Sequence, residues 1–473
     1  MIAASRVFAW VGSAWGVFVS LGFVSTNAAD PVRPNIVYIL ADDMGYGDLG
    51  CYGQKRLATP LIDRMAAEGI RFTRHYAGCT VCAPSRCVLM TGRDTRHGAV
   101  KGNAGGPLPD SEVTVAEVLR DAGYVTGCYG KWGVGNPERR DDANRQGFDE
   151  FFGYNNMHHA HNFYPEFLIK NGAKVPLRNV LKPRWKEAGA NAGISREGAG
   201  VSEVKVDYAP DLIVDAALAF METKASGNAP FFLYLAFNVP HANNEGGADP
   251  EQQNGMEVPD HGVFKSENWP EPEKGFASMM RNIDRDVGRV LDSLRRLGLD
   301  EKTMVLFSSD NGPHAEGRHS EEFFDSNGEL RGKKRDLYDG GVRVPFIVRW
   351  PGHIVPGQVS DLLSGFQDFL PTAAQLAGIP PSTLPPGQGL SLVPTLLREE
   401  GQQLHDHLYW EFEEQGGKRA VVTKEWKAVR LQTKKQPDGP VELYHLDEDL
   451  GEMRNVAAEH PEVVSRLTRL LDE

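Results

Sequence analysis

Cysteine and basic charge are both scarce in this chain of 473 residues, which has five cysteines and a formal net charge of −13. Because five is an odd number, at least one thiol is left outside any set of disulfides. The acidic balance argues against nucleic acid or an anionic surface as the main partner. Internal repeats and low-complexity tracts are also lacking, and 41% of the residues are hydrophobic, so the composition is that of a globular protein.

Long apolar runs are lacking too, except at the N-terminus, where the first 29 residues hold a single charged side chain, Arg6. An apolar run follows Arg6 and leads to small residues suited to cleavage near Ala28 or Ala29. The pattern predicts a signal peptide over residues 1–29, although the length of the run leaves a membrane anchor as the alternative. We therefore expect a secreted or periplasmic protein with no stable membrane anchor, in a compartment that permits disulfides.

Apolar runs of strand length alternate with helical periods from Pro34 onward, which is the pattern of βαβ units and a largely parallel sheet. The runs that predict buried strands lie at residues 35–40, 124–130, 231–237, 304–309 and 344–350. Thr59 and Pro60 predict the start of one helix, and the T-x-x-E box of Thr114 and Glu117 predicts the start of another. The expected fold class is therefore α/β, with a large, mostly parallel sheet flanked by helices.

Proline and glycine are concentrated in GIPPSTLPPGQG, residues 378–389, which makes this segment the best linker candidate. Strand-like runs follow it at residues 407–412, 420–431 and 441–446, before a helix from Pro461. Without strand–helix alternation, this part predicts a small antiparallel sheet covered by one helix. Residues 188–200, rich in glycine and alanine, are expected to form a surface loop. The expected units are a signal peptide (1–29), a large α/β domain (30–380) and a smaller C-terminal α+β domain (388–473).

Polar residues of functional type follow four of the strands expected in the parallel sheet. They are Asp42 and Asp43 after the first, Lys131 after the second, His241 after the third, and Asp310 with Asn311 after the fourth. Ligands of open α/β sheets bind outside the carboxyl ends of the strands. We therefore expect these side chains to converge on one crevice.

The carboxylates and the amide at these strand ends are hard oxygen ligands, which suit Ca²⁺, and Mg²⁺ less well, rather than Zn²⁺. Three crowded carboxylates would repel one another unless a divalent cation lay between them. Each residue also has a local interpretation, because Asp-Asn-Gly-Pro is good turn chemistry and Asp42 or Asp43 could cap a helix. Taken together, the residues favour the metal site.

Three of the five cysteines lie in CTVCAPSRC, residues 79–87. Its C-x-x-C could indicate a redox site or half of a zinc site, but a second C-x-x-C and a nearby histidine at ligand spacing are lacking. A structural disulfide that involves Cys79 or Cys87 is more plausible. It would still leave Cys82 unexplained.

The motif C-A-P-S-R at residues 82–86, with T-G-R at 91–93, resembles the motif of the sulfatase family, in which this cysteine is oxidised to a formylglycine aldehyde. The resemblance extends over nearly the whole chain after the leader and includes NIVYILADDMGYGDLGCYG, GYVTGCYGKWG and LRGKKRDLYDGGVRVPFIVRWPG. It implies an alkaline-phosphatase-like fold and an arylsulfatase-like sulfuric ester hydrolase that acts on a sulfated small molecule or glycan. A maturation enzyme that generates the formylglycine is an implied partner.

The resemblance also implies roles for individual residues. It implies one Ca²⁺ site made by Asp42, Asp43, Cys82, Asp310 and Asn311. Arg86 is expected to support the aldehyde hydrate, and Lys131 and Lys334 to hold the sulfate oxygens, with Lys333 as a rival for Lys334. His241 is expected to protonate the leaving alcohol or to orient the ester. In the hydrate one hydroxyl attacks sulfur and the other then expels sulfate, an exit that serine lacks.

One position departs from the family pattern. Related chains usually have G-K-W-H where residues 130–133 are Gly-Lys-Trp-Gly, so the histidine thought to assist collapse of the sulfated hydrate is missing at Gly133. We hypothesise that His158, His159 or His161 enters the site instead, or that another group does this work. The alternative is that these three are surface histidines in a polar loop.

Two other functions stay open. A phosphomonoesterase or phosphodiesterase of the same superfamily would use two transition metals, for which Asp260-His261 and His405-Asp406-His407 are loose candidates. A non-catalytic sulfate- or glycan-binding protein would result if Cys82 is never oxidised. The favoured interpretation is a secreted, Ca²⁺-dependent sulfatase with a sulfated carbohydrate as substrate.

Overall fold

A computed structural model describes residues 33–103, 106–135, 139–192 and 196–473, together with Met1 and Ala9. The signal peptide expected over residues 1–29 therefore lies, apart from those two residues, outside the described ones. In the described ranges, none of the helices has the length and apolar character needed to cross a bilayer.

Strands and helices alternate through most of the described chain. The strands are β1 (Asn35–Asp42), β2 (Ile70–Phe72), β3 (His75–Tyr76), β4 (Val125–Lys131), β5 (Glu150–Tyr154), β6 (Phe167–Lys170), β7 (Ala173–Pro176), β8 (Val180–Leu181), β9 (Ser202–Val204), β10 (Phe231–Pro240), β11 (Thr303–Ser309), β12 (Phe346–Arg349), β13 (Gln358–Ser360), β14 (Ser364–Gly365), β15 (Leu408–Phe412), β16 (Lys418–Val422), β17 (Trp426–Leu431) and β18 (Val441–His445). The helices are α1 (Pro60–Ala67), α2 (Cys82–Thr91), α3 (Val115–Asp121), α4 (Asp142–Arg145), α5 (Met157–Ala160), α6 (Pro183–Ala192), α7 (Ala209–Lys224), α8 (Asn244–Ala248), α9 (Glu271–Arg296), α10 (Asp339–Val342), α11 (Phe369–Leu376), α12 (Val393–Leu397) and α13 (Pro461–Asp472).

Ten strands form one mixed sheet in the order β13-β2-β12-β11-β1-β10-β4-β5-β6-β7. The five central strands, from β11 to β5, are parallel, and each of the four antiparallel pairings involves a strand outside these five. Val37 and Ile39 of β1 point into one apolar core, whereas Ile36, Tyr38 and Leu40 point into the other. Helices α1, α7 and α9 cover the first face, and α2, α3 and α11 cover the second. The predicted α/β class is confirmed.

The two predicted helix starts differ in how their N-termini are satisfied. Thr114 and Glu117 form the expected reciprocal box at α3. Thr59 precedes α1 as expected, but its side chain does not cap the helix. Instead, a carboxylate oxygen of Asp284 on α9 accepts hydrogen bonds from the backbone N–H groups of Leu61 and Ile62, both at 2.9 Å. The cap of α1 is therefore supplied by a distant helix.

Strands β15 to β18 form a four-stranded antiparallel sheet near the C-terminus, as predicted. Leu467 and Leu471 of α13 cover one face, and the other face packs against Tyr76 and Val81 of the large unit. The expected single run 420–431 is in fact two strands joined by a tight turn. A second expectation was wrong in part, because α6 extends to Ala192 into the segment 188–200 that was expected to be a loop. The domain boundary between 380 and 388 stays a prediction.

Candidate active site

The polar residues at the central strand ends lie together. Asp42 is the last residue of β1 and Lys131 the last of β4, and the Lys131 ammonium donates to both carboxylate oxygens of Asp42 at 2.9 and 2.7 Å. His241 follows β10 directly, and Asp310 with Asn311 follows β11. Because β11, β1, β10 and β4 are adjacent and parallel, their carboxyl ends meet at one edge of the sheet.

The cysteine motif forms the first turn and a half of α2, which begins at Cys82. Pro84 lies in the first turn, where a helix does not need its backbone N–H group. The hydroxyl of Ser85 accepts a hydrogen bond from the Gly78 N–H and donates one to the carbonyl oxygen of Asp310. The motif therefore ties its own helix start to the end of β11.

Arg86 fixes two strand ends from inside the protein. Its guanidinium is fully buried and donates to one oxygen of Asp310 at 3.0 and 2.8 Å, and to the Lys131 carbonyl oxygen at 2.6 Å. Burial alone would lower its pKa, but the neighbouring carboxylates, Asp310 first, raise the pKa of Arg86 well above its usual value. Arg86 is thus a permanent buried cation that holds Asp310 in place.

The Cys82 thiol is fully buried among carboxylates. Its sulfur lies 3.4 Å from Asp42 Oδ1 and 3.9 Å from Asp43 Oδ1. Burial raises the pKa of Cys82 well above its usual value; Lys131 opposes the shift, and Asp310, Asp42 and Asp43 add to it. A thiol kept neutral in this way is a poor nucleophile and a poor redox group. Cys79 is likewise buried, and burial raises the pKa of its thiol to about 12. All five cysteines of the chain are free thiols in the structure, so neither Cys79 nor Cys87 forms a disulfide there.

Asp43 has a positive φ of 66°, an unusual conformation for a residue other than glycine. Its carboxylate accepts hydrogen bonds from Lys334 Nζ at 2.7 Å and from the Asn311 amide at 2.7 Å. Of the two lysines that sequence left as rivals, Lys334 is therefore the one in the cluster. Lys333 is partly exposed and pairs with Glu321 at 2.5 Å.

His241 has both ring nitrogens engaged. Nδ1 lies 2.6 Å from the carbonyl oxygen of Ala242, and Nε2 lies 3.1 Å from the ammonium of Lys334. Burial, together with the charge of Lys334, lowers the pKa of His241 to about 3. The neutral ring is stacked between His161, with centroids 4.8 Å apart, and His314, with centroids 5.9 Å apart.

The aspartates of the cluster are not equally neutralised by the cations around them. Burial opposes ionisation of Asp42, but Lys131, His241 and Arg86 hold its pKa well below the usual value. The result differs for Asp310, whose pKa is raised to about 7 by burial and by the nearby charge of Asp42. The cluster therefore has the electrostatic capacity for additional positive charge.

The donor set fits a hard divalent cation. Ligand atoms of four buried residues lie within 4.8 Å of one another: Asp42, Asp43, Cys82 and Asp310. In the described part of the chain, the buried carbonyl oxygen of the Asn311 side chain has no hydrogen-bond partner. Carboxylate and amide oxygens of this kind are the ligands that Ca²⁺ and Mg²⁺ prefer.

Sequence reasoning missed several residues of the site. Glu316 accepts hydrogen bonds from Lys334 at 3.0 Å and pairs with Arg335 at 2.6 Å, so it anchors two cations beside Asp43. Glu245 pairs with His161, the ring that stacks on His241. Glu316 lies five residues after Asn311, and its position beyond a strand end is a signal that could have found it.

Other sequence candidates do not belong to the cluster. His159 is buried and its Nε2 donates to the carbonyl oxygen of Phe167 at 2.9 Å. His405 pairs with Asp368 at 2.7 Å, and His261 lies 3.6 Å from Glu271. Among the described residues, the groups able to hold a metal contain neither Asp260-His261 nor His405-Asp406-His407.

A mostly parallel central sheet, with an acidic cluster and buried cations at its carboxyl edge, fits a hydrolase of anionic esters. Comparison with known proteins identifies which hydrolase family this is. The family model Sulfatase matches residues 34–379, and the model for the C-terminal part of N-sulphoglucosamine sulphohydrolase matches residues 330–473. The chain belongs to the sulfatase family and is a sulfuric ester hydrolase with an alkaline-phosphatase-like fold.

Individual relatives agree with the family. N-acetylgalactosamine-6-sulfatase of Rattus norvegicus is 33% identical over 81% of this chain and 69% of its own length. Arylsulfatase A of Homo sapiens is 34% identical over 92% of this chain and 87% of its own length. Among solved structures, Ps i-CgsB in complex with k-i-k-neocarrahexaose has a TM-score of 0.75 at 26% identity and covers 93% of this chain and 92% of its own.

Proposed function

We propose that the protein is an exported enzyme that hydrolyses the sulfate ester of a sulfated carbohydrate, through a formylglycine made from Cys82 and with Ca²⁺ at the acidic cluster. The observation that carries the proposal is the buried, neutral thiol of Cys82, which lies 3.4 Å from Asp42 in the acidic cluster, near the charge of Lys131. The carbohydrate is proposed because the relatives include an N-acetylgalactosamine-6-sulfatase and a structure that contains a neocarrahexaose.

The residues proposed to hold Ca²⁺ are Asp42, Asp43, Asp310, Asn311 and the side chain at position 82. When bound, the formylglycine hydrate and the cation supply a hydroxyl nucleophile and neutralise the oxygens of the sulfate group. Mg²⁺ is the less favoured cation, because a cluster of carboxylate, amide and hydrate oxygens leaves little room for the waters that Mg²⁺ retains.

The chain's own cations bind and orient the ester. Burial works against their charges, but Asp42 raises the pKa of Lys131, and Asp43 raises that of Lys334, so both ammonium groups stay charged at neutral pH. Two fixed charges of this kind attract a sulfate monoester and hold its oxygens. His241, fixed by the Ala242 carbonyl and by Lys334, orients the ester with its neutral ring.

The mass of the peptide that contains Cys82 tests the proposal. Conversion of the thiol side chain to an aldehyde lowers its mass by about 18 Da, which is no step of the usual cysteine oxidation ladder. We expect this species in protein produced with a maturation enzyme, together with turnover of aryl sulfates, and we expect Cys82→Ala to have no turnover. Active protein with an intact thiol at position 82 would overturn the proposal.

Metal removal tests the second half of the proposal. Treatment with EGTA is expected to lower kcat at least 100-fold, and Ca²⁺ is expected to restore it better than Mg²⁺. Asn311→Ala, which removes the unpartnered carbonyl oxygen, is expected to raise the Ca²⁺ concentration needed for half-maximal activity. Full activity after metal removal, or two zinc ions per chain by metal analysis, would contradict the calcium site and favour the phosphoesterase alternative.

Export and domain division belong to the same proposal. We propose cleavage after Ala28 or Ala29 and secretion, or release to the periplasm, which N-terminal sequencing of the purified protein tests.

We also propose that a catalytic domain at 30–380 and a C-terminal domain at 388–473 meet at the segment between them. Limited proteolysis is expected to cut first within residues 378–389, all of which are exposed or half-buried.

A further inference from the structure

Lys334 and Arg335 are neighbours in sequence, and both side chains contact the same carboxylate. Oε2 of Glu316 lies 3.0 Å from the ammonium of Lys334, and Oε1 of Glu316 lies 2.6 Å from the guanidinium of Arg335. Arg335 has a positive φ of 79°. Such a conformation is uncommon for residues other than glycine, and it recurs at functional sites. This turn therefore brings two cations to one side of the chain.

The ionic contacts lead outward from the acidic cluster to solvent. They run from Asp43 to Lys334, then to Glu316 and Arg335, and each contact is 3.0 Å or shorter. Asp43 is fully buried and the side chain of Lys334 is 2% exposed, whereas those of Glu316 and Arg335 are 16% and 32% exposed. Arg335 therefore lies on the solvent side of Lys334, the lysine proposed to hold the sulfate oxygens.

Arg335 is also close to the segment that carries Cys82. Its backbone N–H donates to the carbonyl oxygen of Thr80, two residues before Cys82, at 3.0 Å. Burial opposes the charge of Arg335, but Glu316, Asp43 and Cys82 raise its pKa. The guanidinium is therefore within electrostatic range of the residues proposed to carry out the reaction.

The guanidinium of Arg335 has donors to spare. Among the described residues, Glu316 is the one partner of its five N–H groups, and Nη1 makes that contact. Nε and Nη2 remain, and they form the side of the guanidinium that binds an oxyanion through two hydrogen bonds. Arg86 uses the same two nitrogens to hold Asp310. Arg335 thus presents an open, partly exposed binding group for an anion.

Other partly exposed groups beside the cluster contact one another. His161 stacks on His241, with centroids 4.8 Å apart, and its Nδ1 lies 3.2 Å from a carboxylate oxygen of Glu245. The ring of His158 contacts that of His161, with centroids 5.8 Å apart. An imidazole does not have two parallel N–H groups. Of these groups, Arg335 is therefore the one suited to hold an oxyanion through two hydrogen bonds.

We propose that Arg335 determines substrate specificity by binding a second oxyanion, a sulfate or a carboxylate, on the sugar ring that carries the scissile ester. The inference rests on the proposed sulfatase function and names its substrate class. One carboxylate group and two hydrogen bonds separate the Lys334 ammonium from the Arg335 guanidinium, a distance that the substituents of one sugar ring span. The preferred substrate is therefore a sugar with two anionic groups rather than one.

Aryl sulfates with and without a second anion test this role. Carboxyphenyl sulfates are paired with uncharged carbamoylphenyl sulfates, and sulfophenyl sulfates with uncharged sulfamoylphenyl sulfates, each as ortho, meta and para isomers. The ratio of kcat/KM within each pair is measured for the parent protein, with Cys82 converted as proposed, and for Arg335→Gln. Differences between leaving groups cancel, because both proteins are given the same pairs.

In at least one pair, Arg335→Gln is expected to lower the ratio about tenfold, the effect of one charge-assisted hydrogen-bonded contact at a partly exposed site. The carboxylate and sulfonate series show which oxyanion is preferred. The loss is expected in KM, with kcat for the anionic ester changed less than about threefold, because a contact with a remote group is made equally in the ground state and the transition state.

Two further variants separate recognition from charge alone. Arg335→Lys retains the charge but loses the two parallel donors, and it is expected to lower the ratio about threefold. Lys333→Gln is the matched control, because it removes the same charge from a partly exposed side chain that pairs with Glu321. It is expected to leave every ratio as in the parent protein.

Several outcomes would overturn the inference. Equal losses with the charged and uncharged members of every pair would show that Arg335 only supports Glu316 and Lys334. A similar change of ratio in Lys333→Gln would indicate the general field of the protein instead of a contact. If Arg335→Gln does not fold, unchanged ratios in Arg335→Lys decide against the inference. Failure of the converted parent protein to turn over any sulfate ester would instead overturn the proposed function, and this inference would fall with it.

Discussion

Arg86 and Gly133 share a space that holds only one side chain. The stem of Arg86 passes beside Gly133 on its way to Asp310, and the positive φ of Gly133 turns the chain away after Lys131. The absence of a side chain at position 133 is therefore what leaves room for the side chain of Arg86. It explains why no imidazole reaches the site from the residues that directly follow β4.

Gly133→Ala tests this feature. The added Cβ meets Cδ of Arg86 at 2.6 Å in a conformation that alanine adopts only with strain, so we expect a loss of about 2–3 kcal/mol in the free energy of unfolding. Chemical denaturation measures it, and kcat is expected to fall as well because Arg86 is displaced. Gly53→Ala is the control, since Gly53 has a φ of +110° but nothing within 4 Å of the new Cβ, and about 1 kcal/mol is expected. Equal losses of unfolding free energy in the two variants would show that the Arg86 side chain moves aside at little energetic cost.

The residues of the site differ in how far sequence reveals them. Asp42, Asp310 and His241 follow apolar runs, and the carboxyl ends of parallel strands meet, so their proximity could be inferred without a structure. His161 and Glu245 are 84 residues apart, and each lies near a helix of only four or five residues. Segments of this kind carry no periodicity, so a pair between them depends on tertiary packing that sequence does not show.

At the scale of elements, burial on both faces made the central strands easy to predict. Every residue of β1, β10 and β11 is buried, and each strand contains an uninterrupted apolar run of at least four residues. The turn between β16 and β17, at Thr423, Lys424 and Glu425, has neither glycine nor proline, and two strands therefore looked like one. In α6 three alanines favour the helix and only one glycine, Gly189, opposes it.

The small pair formed by β3 and β14 carries a pH dependence of stability. His75 of β3 is buried, its Nδ1 lies 2.9 Å from the hydroxyl of Ser364 on β14, and its ring stacks on Phe346 at 3.9 Å. Burial lowers the pKa of His75 from 6.5 to about 3. The folded state thus disfavours the charged ring, so its stability is retained above pH 6.5 and lost as the pH falls from 6.5 towards 3, by about 1.4 kcal/mol per pH unit.

His75→Phe is therefore expected to flatten the decline of stability in acid. Urea denaturation at pH 6.5, 5.5 and 4.5 measures the slope for the parent protein and the variant. Ser364→Ala is the control, because it removes the hydrogen bond but leaves the ring to titrate, so stability falls while the slope is retained. An unchanged slope in His75→Phe would show that His75 is not the group responsible.

At the scale of the whole molecule, the C-terminal sheet supports the segment that delivers Lys334 to the site. Lys418 on β16 donates to the carbonyl oxygen of Arg335 at 2.6 Å and pairs with Asp336 at 3.1 Å. Arg331 donates to the hydroxyl of Tyr444 on β18 at 3.0 Å. The supported segment begins where the C-terminal family model begins, at residue 330. The small sheet is in this sense part of the active-site architecture.

A buried ion cluster joins the sheet to this segment. The Lys427 ammonium on β17 is fully buried, donates to Asp339 at 2.7 Å and lies 3.4 Å from Glu452. Burial opposes ionisation of Asp339, but the charges of Lys427 and Arg343 keep its pKa below the usual value. Burial raises the pKa of Glu452 to about 7. Of the two carboxylates, Asp339 is therefore the one that the cations hold in its ionised form.

Lys427→Met removes the buried positive charge of Lys427 and leaves Asp339 with Arg343 alone of its two cations. We expect a loss of about 3–5 kcal/mol in the free energy of unfolding by chemical denaturation, the range for breaking one partner out of a buried ion pair. KM for aryl sulfates is expected to rise, since the segment that carries Lys334 loses its anchor. The double variant Lys427→Met/Asp339→Asn removes both charges and is expected to recover part of the stability, whereas Lys424→Met, at an exposed turn position, is expected to change neither quantity. A stable Lys427→Met protein with an unchanged KM would show that the C-terminal sheet does not support Lys334.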